Sequence, residues 1–83
     1  MKTIRVRTVA GELEAKRFAG LLEQVFEDDG NPVTVFEASE DGKNWSAEVL
    51  LFDMEAADAR ALVQSRVSGD SLAGSLEAEE LPD

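Results

Sequence analysis

The 83-residue sequence contains no histidine, no cysteine and no tyrosine. Without histidine, the commonest general base and the commonest metal ligand are both missing, and Ser-His-Asp and Cys-His catalytic arrangements are excluded. Without cysteine there is no disulfide, thiolate nucleophile or thiolate metal site, and such a composition fits a reducing compartment. These absences favour a binding function over a catalytic one.

Long hydrophobic runs are also missing. The longest uninterrupted apolar run, Val49–Phe52, has four residues, far short of the roughly 20 that a membrane-spanning helix needs. Met1–Ala10 alternates polar and apolar residues and lacks the apolar segment of a signal peptide. We therefore expect a cytoplasmic protein without a membrane partner.

Positive charge is scarce and unevenly placed. Eight Lys and Arg residues stand against 18 Asp and Glu residues, which gives a net charge of −10. Residues 1–17 carry a net +3 and residues 18–83 a net −13. Such a surface repels a phosphate backbone, so direct nucleic-acid binding is not expected, whereas a basic protein would be attracted. The alternative is that the acidity serves solubility alone.

A strand–helix–strand order occurs twice along the chain. The predicted elements, in order, are Lys2–Thr8, Glu12–Asp28, Val33–Ser39, Trp45–Phe52, Met54–Val67 and Ser75–Glu80. Two such units joined by a hairpin predict a ferredoxin-like α+β sandwich of the form βαββαβ, with two helices on one face of a four-stranded antiparallel sheet. We expect this domain to occupy residues 1–78, and residues 79–83 to begin an interdomain linker.

Local signals refine the ends and faces of the helices. Gly30 is expected to end the first helix in a left-handed conformation, and Asp53 to cap the second helix. The predicted apolar stripe of the first helix consists of Leu13, Phe18, Leu21, Leu22, Val25 and Phe26.

The hairpin between the two units predicts which face of the sheet is open. Asp41-Gly42 is typical of a two-residue turn, and this turn pairs Phe36 with Ala47. The uncharged face, which includes Trp45, should then pack on the helices. The other face should present a mixed charged and apolar patch, which is typical of an interface. The candidate partner-binding residues on that patch are Arg5, Arg7, Glu37, Glu48, Leu50 and Phe52.

Catalytic and metal-binding alternatives find little support in the residues. The acylphosphatases share this fold and use an arginine with an asparagine, and Asn31 and Asn44 are available, but no phosphate-cradling loop follows the first strand. The acidic clusters at the predicted turns lack the ligand spacing of a calcium loop. We therefore expect no catalytic, cofactor-binding or metal-binding residue in this segment.

Several segments, taken together, resemble a known family. They are Leu21–Glu23, Phe26–Gly30 with Pro32-Val33, the hairpin ending in Trp45, the Ala56–Val67 helix, and the exit Glu79-Glu80-Leu81-Pro82-Asp83. This combination is similar to the amino-terminal domain of the bacterial ribosomal protein L-eleven methyltransferases (PrmA type). The resemblance covers essentially the whole chain.

The resemblance implies one part of a two-domain enzyme. In that family a ferredoxin-like first domain recognises the ribosomal protein, and a Rossmann-like second domain binds S-adenosylmethionine and methylates amino groups. The implied function here is substrate recognition, with a basic ribosomal protein and a catalytic domain after Asp83 as partners and no catalysis by this segment alone. The alternative is a self-associating ferredoxin-like regulatory or ligand-binding module that pairs through sheet edges or the open face.

Overall fold

The computed structural model describes residues 1–82. Six principal elements follow one another in the order βαββαβ. They are β1 (Thr3–Ala10), α1 (Glu12–Val25), β2 (Val33–Glu37), β3 (Trp45–Phe52), α2 (Ala56–Arg66) and β4 (Glu77–Glu80), with 3-10 turns at Glu27–Asp29 and Ala73–Ser75. The strand order is β2-β3-β1-β4, and every neighbouring pair is antiparallel. The predicted ferredoxin-like α+β fold is confirmed.

Strand β1 is one of the two central strands of the sheet, and its side chains point alternately to the two faces. Its alternation directs Ile4, Val6 and Thr8 to the face that packs on the helices, and all three are buried there. Helix α1 packs against β2 and β3, and α2 packs against β1 and β4. We call this the covered face, and the opposite side of the sheet the open face.

Helix α1 contributes its buried stripe at three- and four-residue spacing. The buried residues are Ala15, Phe18, Ala19 and Leu22, followed by Phe26 just beyond the helix. Leu13, which we expected in this stripe, is instead 83% exposed. It lies nine positions before Leu22, or about two and a half turns, which places it on the opposite side of the helix.

The ends of the helices follow only part of the prediction. Gly30 has the expected left-handed conformation, with φ = 69°, although it ends the 3-10 turn after α1. Asp53 does not cap α2, because the N-cap position is Glu55. Asp53 instead adopts φ = 60° directly after β3, and its N–H donates to the carbonyl of Lys2 at 2.9 Å.

The β2–β3 hairpin differs from the predicted hairpin by one residue in register. Phe36 pairs with Ser46 rather than with Ala47. The N–H of Ala38 donates to the carbonyl of Asn44 at 2.7 Å, which closes a five-residue loop in place of the predicted two-residue turn. The predicted register is therefore wrong.

Hydrogen bonds within the loop explain why the longer form is stable. The Asp41 carboxylate accepts from the Ser39 hydroxyl at 2.6 Å and from the Lys43 N–H at 3.0 Å. These two donors hold the pKa of Asp41 below its usual value. Gly42 supplies φ = 72°, and its carbonyl accepts from Trp45 Nε1 at 3.0 Å.

The change of register exchanges the two faces of β2. A slip of one residue moves every side chain of a strand to the other side of the sheet. Val33, Val35 and Glu37 therefore lie on the covered side, where both valines pack against the core. Thr34 and Phe36 take their places on the open face.

Trp45 lies on the covered side of β3, as predicted. The indole ring is partly buried and packs against the core. The ammonium group of Lys16, on α1, lies 4.8 Å from the ring centroid, within the range of a cation–π contact.

A bidentate ion pair ties α1 to the segment after α2. The guanidinium of Arg17 donates to both Asp70 carboxylate oxygens, at 2.6 Å and 3.2 Å. This contact, together with the Leu72 N–H, lowers the pKa of Asp70. At the carboxyl end of the sheet, Leu81 N–H donates to the Thr3 carbonyl at 2.8 Å, so the ladder extends beyond residue 78, and Asp83 lies outside the described residues.

Candidate protein-binding site on the open face of the sheet

The open face is built from the odd-numbered residues of β1 and β4 and the even-numbered residues of β2 and β3. This assignment follows from the pairing, in which Arg7 lies beside Glu48 on one side and beside Glu77 on the other. The alternate residues of the same strands form the core with the two helices. The face therefore takes its side chains from four strands that are distant in sequence.

A charged centre occupies the middle of the open face. Arg5 lies between Leu50 on β3 and Glu79 on β4, and its guanidinium forms an ion pair with Glu79. Arg5 Nε also lies 3.8 Å from Glu48 Oε2. Because the Glu48 side chain is only 11% exposed, this pair is screened by solvent less than a surface pair would be.

In the part of the chain that the structure describes, the buried side-chain nitrogen and oxygen atoms without a hydrogen-bond partner all lie on this face. Within residues 1–82 they are Arg5 Nε, Ser46 Oγ and Glu48 Oε2. Ser46 is completely buried and Glu48 is 8% exposed. Because an unpaired buried polar group costs free energy, the open face is less well satisfied by this chain than the covered face.

An apolar row borders the charged centre. Ser46 pairs with Val9 on one side and with Phe36 on the other. Val9 is 45% exposed and Phe36 is 41% exposed. Leu50 and Phe52, further along β3, are half-buried. The arrangement of exposed apolar side chains around partly desolvated polar groups is typical of protein-binding surfaces.

The structure brings together all but one of the predicted partner-binding residues. Arg5, Arg7, Glu48, Leu50 and Phe52 share the open face. Glu37 does not, because the register of β2 turns it to the covered side. The signal for Val9 and Ser46 was present in the alternation of β1 and β3. Thr34 and Phe36 could not be placed on this face without the correct hairpin register.

A cavity of ≈ 510 Å³ lies beside β4. Its lining includes three arginines, Arg5, Arg7 and Arg60, together with Glu77 and Glu79. The structure shows no ion pair for Arg7 within residues 1–82. This end of the face can therefore accept a carboxylate from a partner, although the chain as a whole is acidic.

The side chains of both asparagines considered for an arginine–asparagine pair donate hydrogen bonds within the chain. Asn31 Nδ2 donates to the Leu50 carbonyl at 2.9 Å, and Asn44 Nδ2 donates to the Ser39 hydroxyl at 3.5 Å. In residues 1–82, no group of three or more Asp, Glu, His or Cys residues is arranged to hold a metal ion. Nor does any described helix combine the length and apolar character needed to cross a membrane.

Sequence comparison finds relatives along the whole chain. A ribosomal protein L11 methyltransferase of Mesorhizobium japonicum is 36% identical over 86 aligned residues, which cover 100% of this chain. The ribosomal protein L11 methyltransferase of Brucella suis is 38% identical over 74 residues, or 89% of this chain. The chain is homologous to these methyltransferases. The resemblance predicted from the sequence is confirmed, and the match is consistent with their amino-terminal domain.

The chain spans about a quarter of the length of these relatives, namely 28% of the Mesorhizobium protein and 24% of the Brucella protein. No protein-family model and no solved structure matches the chain.

Proposed function

We propose that this chain is the substrate-recognition domain of an S-adenosylmethionine-dependent ribosomal protein methyltransferase, and that it binds a basic ribosomal protein without being catalytic alone. One observation carries the proposal. The similarity extends along the whole chain to proteins named ribosomal protein L11 methyltransferase, of which the chain covers 24–28%.

The residue content supports a division of labour between this chain and the rest of such an enzyme. The chain has no histidine or cysteine, and its open face presents paired charges and apolar side chains rather than a nucleophile beside a base. In this proposal, S-adenosylmethionine binding and methyl transfer belong to the larger part of the protein that the relatives have in addition. No residue of this chain is assigned to the cofactor.

The charge of the chain supports a basic partner. A net charge of −10 attracts a positively charged protein, which raises the association rate and favours that partner over acidic competitors. The attraction weakens as salt is added, because ions screen charges at the surface.

The open face is the surface that we propose for contact with the partner. It carries the Arg5–Glu48 ion pair and the exposed side chains of Val9 and Phe36. Binding energy at interfaces is concentrated in a few central, desolvated residues. A partner that covers this face would bury the apolar row and would exclude water from the neighbouring Arg5–Glu48 ion pair.

Titration of the ¹⁵N-labelled chain with purified ribosomal protein L11, followed by NMR, tests the proposal. We expect shift changes for the open-face residues of β1 and β3, and weaker binding at higher salt. The absence of any shift change at about 1 mM partner, where even a weak complex forms, would contradict binding. Changes confined to the helices would contradict the proposed surface.

Two matched lysine substitutions distinguish the open face from the helix side. Val9→Lys and Leu13→Lys each replace an exposed apolar side chain and change the net charge by the same amount, but Val9 lies on the open face and Leu13 on the outside of α1. We expect Val9→Lys to weaken binding by about tenfold or more, and Leu13→Lys to have much less effect. Equal losses would show that only net charge matters.

A further inference from the structure

The two edge strands of the sheet differ in their chemistry. The edges are β2, with the sequence VTVFE, and β4, with the sequence EAEE. An edge strand exposes unpaired N–H and C=O groups to other chains, and proteins commonly block such edges with charged side chains. The acidic side chains of β4 block its edge in this way, whereas β2 carries one charged residue, at its end.

The hydrogen-bond ladder shows which groups of β2 are free. The Pro32 carbonyl accepts from Leu50 N–H at 3.0 Å, and Ala38 N–H donates to the Asn44 carbonyl. Because bonding in an antiparallel pair alternates with a period of two residues, the even-numbered residues of β2 bond to β3. Val33, Val35 and Glu37 therefore direct their N–H and C=O groups away from the sheet.

The free edge of β2 is complementary to itself. In the antiparallel register that pairs all five of its residues with a second copy, Val35 lies opposite Val35 on a two-fold axis. Thr34 then lies opposite Phe36, and Val33 opposite Glu37, so no carboxylate faces another carboxylate. Pairs of β-branched and aromatic residues are favourable across strands. In β4 the groups of Ala78 and Glu80 lie on the free edge, and the pairing that sets Ala78 opposite Ala78 places Glu77 opposite Glu79. Like charges in that position are destabilising.

We propose that two copies of this chain associate edge to edge through β2 and form one continuous eight-stranded sheet. The occupant is a second copy because the strand is self-complementary and, apart from Glu37, uncharged. Each copy carries a net charge of −10, so repulsion between copies opposes the association. Salt should therefore strengthen this dimer, whereas it should weaken a complex with a basic protein. The inference does not depend on the proposed function.

Sedimentation equilibrium of the chain at low and high salt tests the dimer. We expect the average mass to rise towards that of a dimer as the concentration approaches about 1 mM in about 0.5 M NaCl, where the Debye length is only a few ångströms. At about 0.01 M salt the chain should be more strongly monomeric. A monomer throughout the high-salt series would overturn the proposal.

Two glutamate-to-proline variants then identify the edge. Glu37→Pro and Glu80→Pro each remove one carboxylate and one outward-facing N–H from the last residue of an edge strand, where proline is tolerated. We expect Glu37→Pro to abolish the dimer, even though the lost charge alone would favour association. Glu80→Pro should associate at least as well as the unmodified chain. The reverse pattern would assign the association to β4 and overturn the proposal.

Amide hydrogen exchange of the unmodified chain gives a readout that requires no variant. The Val35 N–H, which is free in one copy and bonded in the proposed dimer, should exchange more slowly as the concentration rises at high salt. The Ala78 N–H, on the free edge of β4, should exchange at a constant rate. Concentration-independent exchange at Val35 in a sample shown to be dimeric would exclude β2 as the contact.

Discussion

Thr8 and Ser46 are both buried hydroxyl residues of neighbouring strands, but they lie on opposite faces of the sheet. Thr8, on the covered face, shares a hydrogen bond of 2.7 Å with the Ser75 hydroxyl. Ser46, on the open face, has no hydrogen-bond partner within residues 1–82. The covered face thus has its polar groups satisfied by this chain, whereas the open face retains unmet hydrogen-bonding capacity. That difference makes the open face the better candidate for binding.

Two phenylalanines, one on each face of the sheet, should show the largest difference in stability between the two faces. Phe18 is fully buried on the covered side, whereas Phe36 is 41% exposed on the open face. We expect Phe18→Ala to lower the free energy of unfolding by about 3–5 kcal/mol because it leaves a cavity, and Phe36→Ala to lower it by about 1 kcal/mol or less. Urea denaturation of both variants measures the difference. Equal losses would mean that the open face is part of the core.

Ser46 and Ala47, which are adjacent on β3 and lie on opposite faces, should show a smaller difference in stability when substituted. Ala47→Ser places a hydroxyl in the apolar core of the covered face, and we expect it to destabilise the fold by about 1–3 kcal/mol. Ser46→Ala removes a hydroxyl that is already unpaired, so it should be neutral or stabilising by up to about 1 kcal/mol. Thermal and urea unfolding check both values. A large loss for Ser46→Ala would show that this hydroxyl is satisfied in solution.

The smallest expected effect on stability is at the surface of the helix layer, where Arg17 of α1 binds Asp70. The hydrogen bonds from Arg17 lower the pKa of Asp70 in the folded state, so this carboxylate stabilises the fold above its unfolded pKa of about 3.9. That stability is lost as the pH falls through the lowered folded value. Asp70→Asn should therefore destabilise at pH 7 and not at strongly acidic pH. Urea midpoints of both proteins measured across that pH range check the prediction. A loss of stability that is independent of pH would contradict it.

The sequence predicts most of the fold because local patterns determine it. The alternation of β1 and β3 places Ile4 and Val49 correctly in the core, and the helical spacing of Phe18 and Leu22 identifies the buried side of α1. The face of β2 was predicted wrongly, because its five residues alternate acceptably in either register. Hydrogen bonds of Ser39 and Asp41 within the following loop decide between the two.

The candidate site is less predictable than the fold because it depends on contacts between distant segments. Pattern reasoning finds Arg5, Arg7 and Glu48 on one face from their alternation alone. The complete burial of Ser46 requires Val9 from β1 and Phe36 from β2 on either side of it. No local pattern around Ser46 indicates that its hydroxyl lacks a partner.

The position of Trp45 gives the two faces different optical visibility. It is the only tryptophan of the chain, and its ring lies on the covered side beneath Lys16 of α1. Its emission should therefore change when the helix layer separates from the sheet. A ligand on the opposite face should leave that emission almost constant, so unfolding and binding can be followed separately in one sample.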